Sequence, residues 1–168
     1  MNPAFIILTF FIFFLIWENM KTSTFSPDSN VAKSVSVLYG DYADEYGKFW
    51  GIPPERLLAH ICVETQGRTG LIGGDGEVGI MQMLPTTLAY VNGQTELSYT
   101  ANDIALNAWA SIETGAAYLA LLKRQTGTLD KASQEYNGNP SNPATSVYLS
   151  KVLAYDQLIL RVNNGAGQ

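Results

Sequence analysis

At 168 residues and a net charge of −5, with 15% charged side chains, the chain has room for one domain with a proper core. Its acidity argues against a nucleic-acid partner, because a phosphate backbone calls for a basic face. A single cysteine, Cys62, excludes an internal disulfide.

Residues 4–17, AFIILTFFIFFLIW, are almost wholly apolar. The run is shorter than the roughly 20 residues that span a bilayer and has the length of an export-signal core. No Lys or Arg precedes it and no small-x-small pattern follows it, so a retained anchor or other membrane contact fits as well as a cleaved leader. Thr22, Ser23, Thr24, Ser26, Pro27 and Ser29 mark a linker. The chain therefore divides into an anchor and linker at 1–25 and a folded domain at 26–168.

Val31, Val35, Leu38, Tyr42, Tyr46 and Phe49 recur at spacings of three and four. They predict an amphipathic helix, loosened at Gly40 and Gly47, whose tyrosines pack on the next helix. That next helix starts at Pro54, where the missing N–H costs nothing, and carries Leu57, Leu58, Ile61 and Cys62 at helical spacing. Gly67 is placed to end it.

Glu64 then lies in the last turn of an apolar helix, next to a loop holding six of the fifteen glycines: 67, 70, 73, 74, 76 and 79. A helix C-terminus disfavours negative charge, and apolar surroundings resist ionisation. Both effects raise the carboxyl pKa, which suits a general acid. Other acids nearby in sequence are Glu55, read as a solvated first-turn charge, and Asp75 and Glu77 on the glycine loop. His60, one turn before Glu64, reads foremost as a structural histidine. A lone His beside one Glu makes no metal site, and no cofactor motif is visible. Cys62 reads as a small core residue.

Pro85 to Val91 predicts a short helix ended by Asn92-Gly93, and 103–126 one long buried helix. Leu129 to Tyr136 is a short helix. A last one runs from Pro143 to about Val162 with Leu149, Val152, Leu153, Asp156 and Ile159 near one face.

Three segments in order carry a resemblance: Glu64-Thr65 at a helix end, Gly79-Ile80-Met81-Gln82 followed by Pro85-Thr86, and Tyr136-Asn137-Gly138. Over roughly residues 45–155 the chain resembles the lytic transglycosylases of the soluble (SLT) type, related to goose-type lysozyme. That resemblance implies a mainly α, lysozyme-like fold with a glycine-rich loop lobe and a catalytic cleft. It also implies cleavage of the β-1,4 bond between N-acetylmuramic acid and N-acetylglucosamine with closure of a 1,6-anhydro ring. Glu64 takes the catalytic role, with Thr65 at the family's serine position. Gln82 is expected beside the sugar and Met81 beneath the cleft. The Tyr136 hydroxyl is expected on the Glu64 carboxyl. Asn137 binds sugar or shapes a turn, and Tyr148 matches a family tyrosine or serves the core. In the family's Asn-Ile-x-x-Gly-x-x-Tyr-Leu pattern, Ile112, Gly115, Tyr118 and Leu119 fit while Ser111 holds the Asn position; Asn107 lies one turn earlier.

The implied partners are peptidoglycan strands and, through residues 4–17, a membrane. The implied location is exported, anchored or periplasmic, or in a phage virion; virion or secretion-complex proteins are further candidate partners. A hydrolase positioning water through Asp75 or Glu77, and a non-catalytic wall-binding protein, stay open beside the lyase.

Overall fold

The computed structural model describes residues 25–165, so the apolar run at 4–17 lies outside the described residues. Within them, no helix is long and apolar enough to cross a membrane. Among the described residues seven helices follow one another: α1 Ser29–Trp50, α2 Pro54–Glu64, α3 Pro85–Gln94, α4 Ala101–Leu106, α5 Ala108–Thr126, α6 Leu129–Tyr136 and α7 Pro143–Gly165. Two isolated antiparallel bridges, Ile72 to Val78 and Val78 to Met83, are the only extended pairing among the described residues.

α2 is the buried centre. It is wedged between α1 and α7 and touches α5, and every residue from Arg56 to Cys62 is buried. Pro54 opens it as expected. The main core joins Val35 and Tyr39 of α1, Leu57 and Ile61 of α2, Ile112 and Leu119 of α5, and Val152 and Ile159 of α7.

α1 runs unbroken through Gly40 and Gly47. Asp28 caps its start, accepting from the Asn30 N–H at 2.8 Å, and Gly51 closes it in the left-handed region. Gly47 is a contact rather than a weak point: a Cβ there would lie 2.6 Å from the Ile52 carbonyl oxygen.

Several boundaries depart from the periodicity. α2 ends at Glu64 with Thr65 as its cap, and Gly67 lies beyond it, its carbonyl accepting from the Tyr39 hydroxyl at 2.8 Å. α3 continues through Asn92 and Gly93 to Gln94, because the Asn92 side chain bonds forward to the Tyr99 carbonyl at 2.7 Å instead of turning the chain. The expected single helix at 103–126 is two, split where Asn107 is extended (φ −119°, ψ 113°). Thr100 and Asp103 form a reciprocal capping box that gives α4 its own start. α7 buries Thr145, Tyr148, Val152, Tyr155, Asp156 and Ile159; Leu149 and Leu153 are only partly buried, so the inward stripe is rotated from the expected one.

Candidate active site

Glu64 closes α2 on the wall of a cleft of about 320 Å³, lined also by Gly73, Gly74, Glu77, Gln82, Tyr118, Glu135, Tyr136 and Asn137. A second hollow on its other side is lined by Val63, Asn137, Val147, Tyr148 and Lys151. The carboxyl thus stands between two parts of a groove.

Burial is the main reason its pKa rises to about 7; the Glu77 charge adds to the rise, and a hydrogen bond from Tyr148 opposes it. The Tyr148 hydroxyl donates to Glu64 Oε1 at 2.6 Å. The acid therefore holds its proton near neutral pH while a donor is already aimed at the charge left after transfer.

This corrects one expectation. The Tyr136 hydroxyl donates to the Met81 carbonyl at 2.9 Å, not to Glu64; α6 brings its ring to the cleft, where it packs 4.8 Å from the His60 ring and 5.3 Å from that of Tyr118. Tyr148, one turn and a half into α7, reaches the carboxyl instead.

Two further residues lie under the cleft rather than in it. The Thr65 hydroxyl is buried and donates to the Ile80 carbonyl at 2.9 Å, tying the end of α2 to the Gly79–Gln82 segment. Met81 has no exposed surface. It fills the space left by Gly115, where a Cβ would stand 2.3 Å from the Met81 Sδ. Neither side chain can touch a ligand in the cleft, against the expectation of a direct contact; both fix the cleft floor. Gly115 thus marks the close approach of α5 to the Gly79–Gln82 turn.

Gln82 does line the cleft, in the left-handed region at φ 46°. Its amide donates to the Gly79 carbonyl at 2.8 Å, which closes the turn set by the paired backbone bonds between Val78 and Met83. Asn137, exposed at the end of α6, borders both hollows. Ser111 meets the same turn from α5, accepting from the Met81 N–H at 3.2 Å. Asn107 instead donates to the Asp103 carbonyl within its own turn, so Ser111 and not Asn107 meets the Gly79–Gln82 turn.

Glu135 was not singled out by the sequence because it is distant from Glu64 along the chain; only the placing of α6 brings it to the cleft wall. Its neighbour Tyr136 was the available signal. Asp75 is not among the cleft-lining residues; its N–H donates to the Glu77 carboxylate at 3.0 Å. Cys62 is buried, with its thiol pushed up to about 12 by desolvation, as a core residue rather than a nucleophile.

His60 is wholly buried, bonded to Tyr148 through Nδ1 at 2.8 Å and to Ser133 through Nε2 at 3.1 Å. Burial, with the Arg56 charge adding, lowers its pKa to about 3. The folded state refuses a proton that the unfolded chain accepts below about 6.5. The stability is therefore complete above that pH and lost as pH falls towards 3, by roughly 4–5 kcal/mol in full. Urea unfolding across this window should show proton uptake, and His60→Asn should flatten that slope. An unchanged slope in the variant would mean the proton goes elsewhere.

The surroundings of Glu64 can be set beside known proteins. The chain is 28% identical over 88 residues to the endo-type membrane-bound lytic murein transglycosylase A of two Klebsiella pneumoniae strains. The aligned stretch is 48% of this chain and 41% of those proteins, so it spans less than half their length. Among solved structures, an inactive mutant of the lytic transglycosylase Slt of Pseudomonas aeruginosa superposes with a TM-score of 0.69 at 19% identity, over 76% of this chain and 24% of that one. The 70 kDa soluble lytic transglycosylase of Escherichia coli gives 0.67 at 21%, over 76% and 24%. A complex of a 70 kDa soluble lytic transglycosylase with bulgecin A gives 0.69 at 21%, over 76% and 25%. These likenesses show the lysozyme-like fold. The sequence matches the model of the transglycosylase SLT domain over residues 41–157, most of its length, and the chain belongs to that family.

Proposed function

We propose that the protein is a peptidoglycan lytic transglycosylase that cleaves the β-1,4 bond between N-acetylmuramic acid and N-acetylglucosamine and leaves a 1,6-anhydro end. The observation that carries this is Glu64, held half-buried in the groove with a pKa near 7 and a Tyr148 donor on its carboxyl. Glu64 gives its proton to the leaving glycosidic oxygen. The substrate's N-acetyl group stabilises the cationic sugar carbon. The Glu64 carboxylate then takes the proton of the muramoyl C6 hydroxyl, whose oxygen closes onto that carbon and restores the acid. One carboxyl serves both halves, and positioned acid–base chemistry of this kind is worth roughly 10² to 10⁴ in rate. Gln82, Asn137 and the Tyr136 ring line the groove as sugar contacts.

A second reading is favoured by one observation: Glu77 and Glu135 line the same cleft, and a hydrolase uses a second carboxylate to activate water. Digestion of purified sacculi followed by mass spectrometry decides. The lyase gives muropeptides one water lighter than reducing-end products, while hydrolysis gives no such deficit. The substrate places the working enzyme at the bacterial envelope. There the apolar run 4–17 supplies a membrane contact, and a role in phage entry or exit, secretion or wall remodelling follows from local opening of the wall.

A further inference from the structure

Behind Glu64 lies a continuous line of buried polar groups that the cleavage chemistry does not itself touch. Arg56 of α2 is 7% exposed, and its Nε donates to Asp156 of α7 at 2.9 Å. Its Nη1 donates to Asp130 at 3.0 Å and to Ser133 Oγ at 3.1 Å, both on α6. Ser133 is wholly buried and lies 3.1 Å from His60 Nε2. His60 Nδ1 lies 2.8 Å from the Tyr148 hydroxyl, which donates to Glu64.

The two ends fix the sense of every bond. A guanidinium has no acceptor, so Ser133 must accept from Arg56 and is left with one hydrogen to give, to His60 Nε2. Above its pKa of about 7 Glu64 is a carboxylate and can only accept, so in that state Tyr148 spends its single hydrogen on Glu64 and must accept from His60 Nδ1. A neutral imidazole with its hydrogen on Nδ1 meets both demands at once. The opposite tautomer would leave the bare Nδ1 facing the Tyr148 oxygen with no hydrogen between them, and would make Ser133 accept twice and give its own hydrogen elsewhere.

We propose that Ser133, His60 and Tyr148 form a one-way hydrogen-bond relay that ties the Glu64 carboxyl to the Arg56 guanidinium, whose own charge is balanced by Asp130 and Asp156. Ser133 and His60 are then positioning residues for the acid. The proposal rests on Glu64 as the reacting group for its bearing on turnover, but not for its existence. Other groups face the two ends. Glu64 shares its hollows with Glu77 of the loop, Glu135 and Tyr136 of α6 and Lys151 of α7. His60 packs against the rings of Tyr136 and Tyr148. None of these but Tyr148 is hydrogen-bonded to the Glu64 carboxyl among the described residues. Aligned bonds in a dry interior polarise one another, so a break at the far end is felt at the near one.

His60 is the only histidine, so ¹⁵N-histidine labelling of the intact protein reports this ring alone. The expected spectrum at pH 9, where Glu64 is ionised, shows a protonated Nδ1 and a bare Nε2; the reverse tautomer, or an equal mixture, overturns the relay. Ser133→Ala removes the link without touching Glu64 or Tyr148. Followed by ¹³C carboxyl shifts, the Glu64 titration should move up by about half to one pH unit, and an unmoved titration overturns the proposal. In a sacculus assay the high-pH limb should move with it while the plateau falls; a lowered plateau with a fixed limb marks a purely structural serine. The two NMR readings need no turnover, so loss of the lytic reading and loss of the relay are told apart. Should Ser133→Ala not fold, the tautomer of the wild-type ring still decides.

Discussion

Glu64→Gln is expected to abolish release of soluble fragments from purified peptidoglycan, by at least the 10² to 10⁴ that an acid–base group typically supplies. No neighbour stands ready to replace it. Glu77 and Glu135 share the cleft, but neither is bonded to the Tyr148 hydroxyl that serves Glu64. The amide keeps the shape and still accepts from Tyr148, so the fold should be intact. It should even be sturdier in base. Burial raises the Glu64 pKa from 4.5 to about 7. The folded protein thus holds a proton that the unfolded chain has given up between those values. Its contribution to stability is complete below 4.5 and lost as pH rises through 7, so the ionised carboxylate costs about 3 kcal/mol at pH 8. Urea midpoints of wild type and variant should coincide near pH 4 and separate by pH 8, the variant being the more stable. A variant that still clears sacculi removes Glu64 from the chemistry, and midpoints that never separate remove the raised pKa.

Gly79→Ala should be among the most damaging single-methyl changes in the domain. Its φ of +79° disfavours any side chain. An added Cβ would also lie 2.4 Å from the Ile104 carbonyl oxygen and 2.5 Å from Ser111 Oγ. The carbonyl belongs to the backbone of α4 and cannot swing away, so the turn itself must shift. We expect a loss of about 3 kcal/mol, a Tm drop on the order of 10 °C, with activity falling as the Gln82 anchor on the Gly79 carbonyl is disturbed. Gly76→Ala separates the two causes. That residue has φ +88° but open space where a Cβ would go, so it should lose only about 1 kcal/mol. Equal losses at both sites would mean that contact with α4 contributes nothing.

The helix that carries the acid was readable because its signals are local: Pro54 at one end, the apolar run, and a carboxyl beside a glycine loop. The Gly79–Gln82 turn was readable as a motif. What it stands against was not, since Ser111 reaches it from 30 residues away in the chain. The break at Asn107 was hidden because apolar spacing continues through it, while the capping box that makes it sits at Thr100 and Asp103. The exchange of roles between Tyr136 and Tyr148 has the same origin. Both are tyrosines of suitable position, and only the rotation of α7 about its axis decides which hydroxyl reaches the carboxyl and which the Met81 carbonyl. His60 looked isolated because its partners, Ser133 and Tyr148, are 73 and 88 residues downstream.

The clasp on α2 is shared by α1 before it and α7 after it, and α7 alone brings Tyr148 and Asp156. During synthesis the acid-bearing segment emerges well before its hydroxyl escort and one of the two counter-ions of Arg56, which lie 84 residues after Glu64 and 100 after Arg56. A chain stopped between them carries Glu64 without the hydroxyl that aims it, so the carboxyl is placed only once α7 has been made.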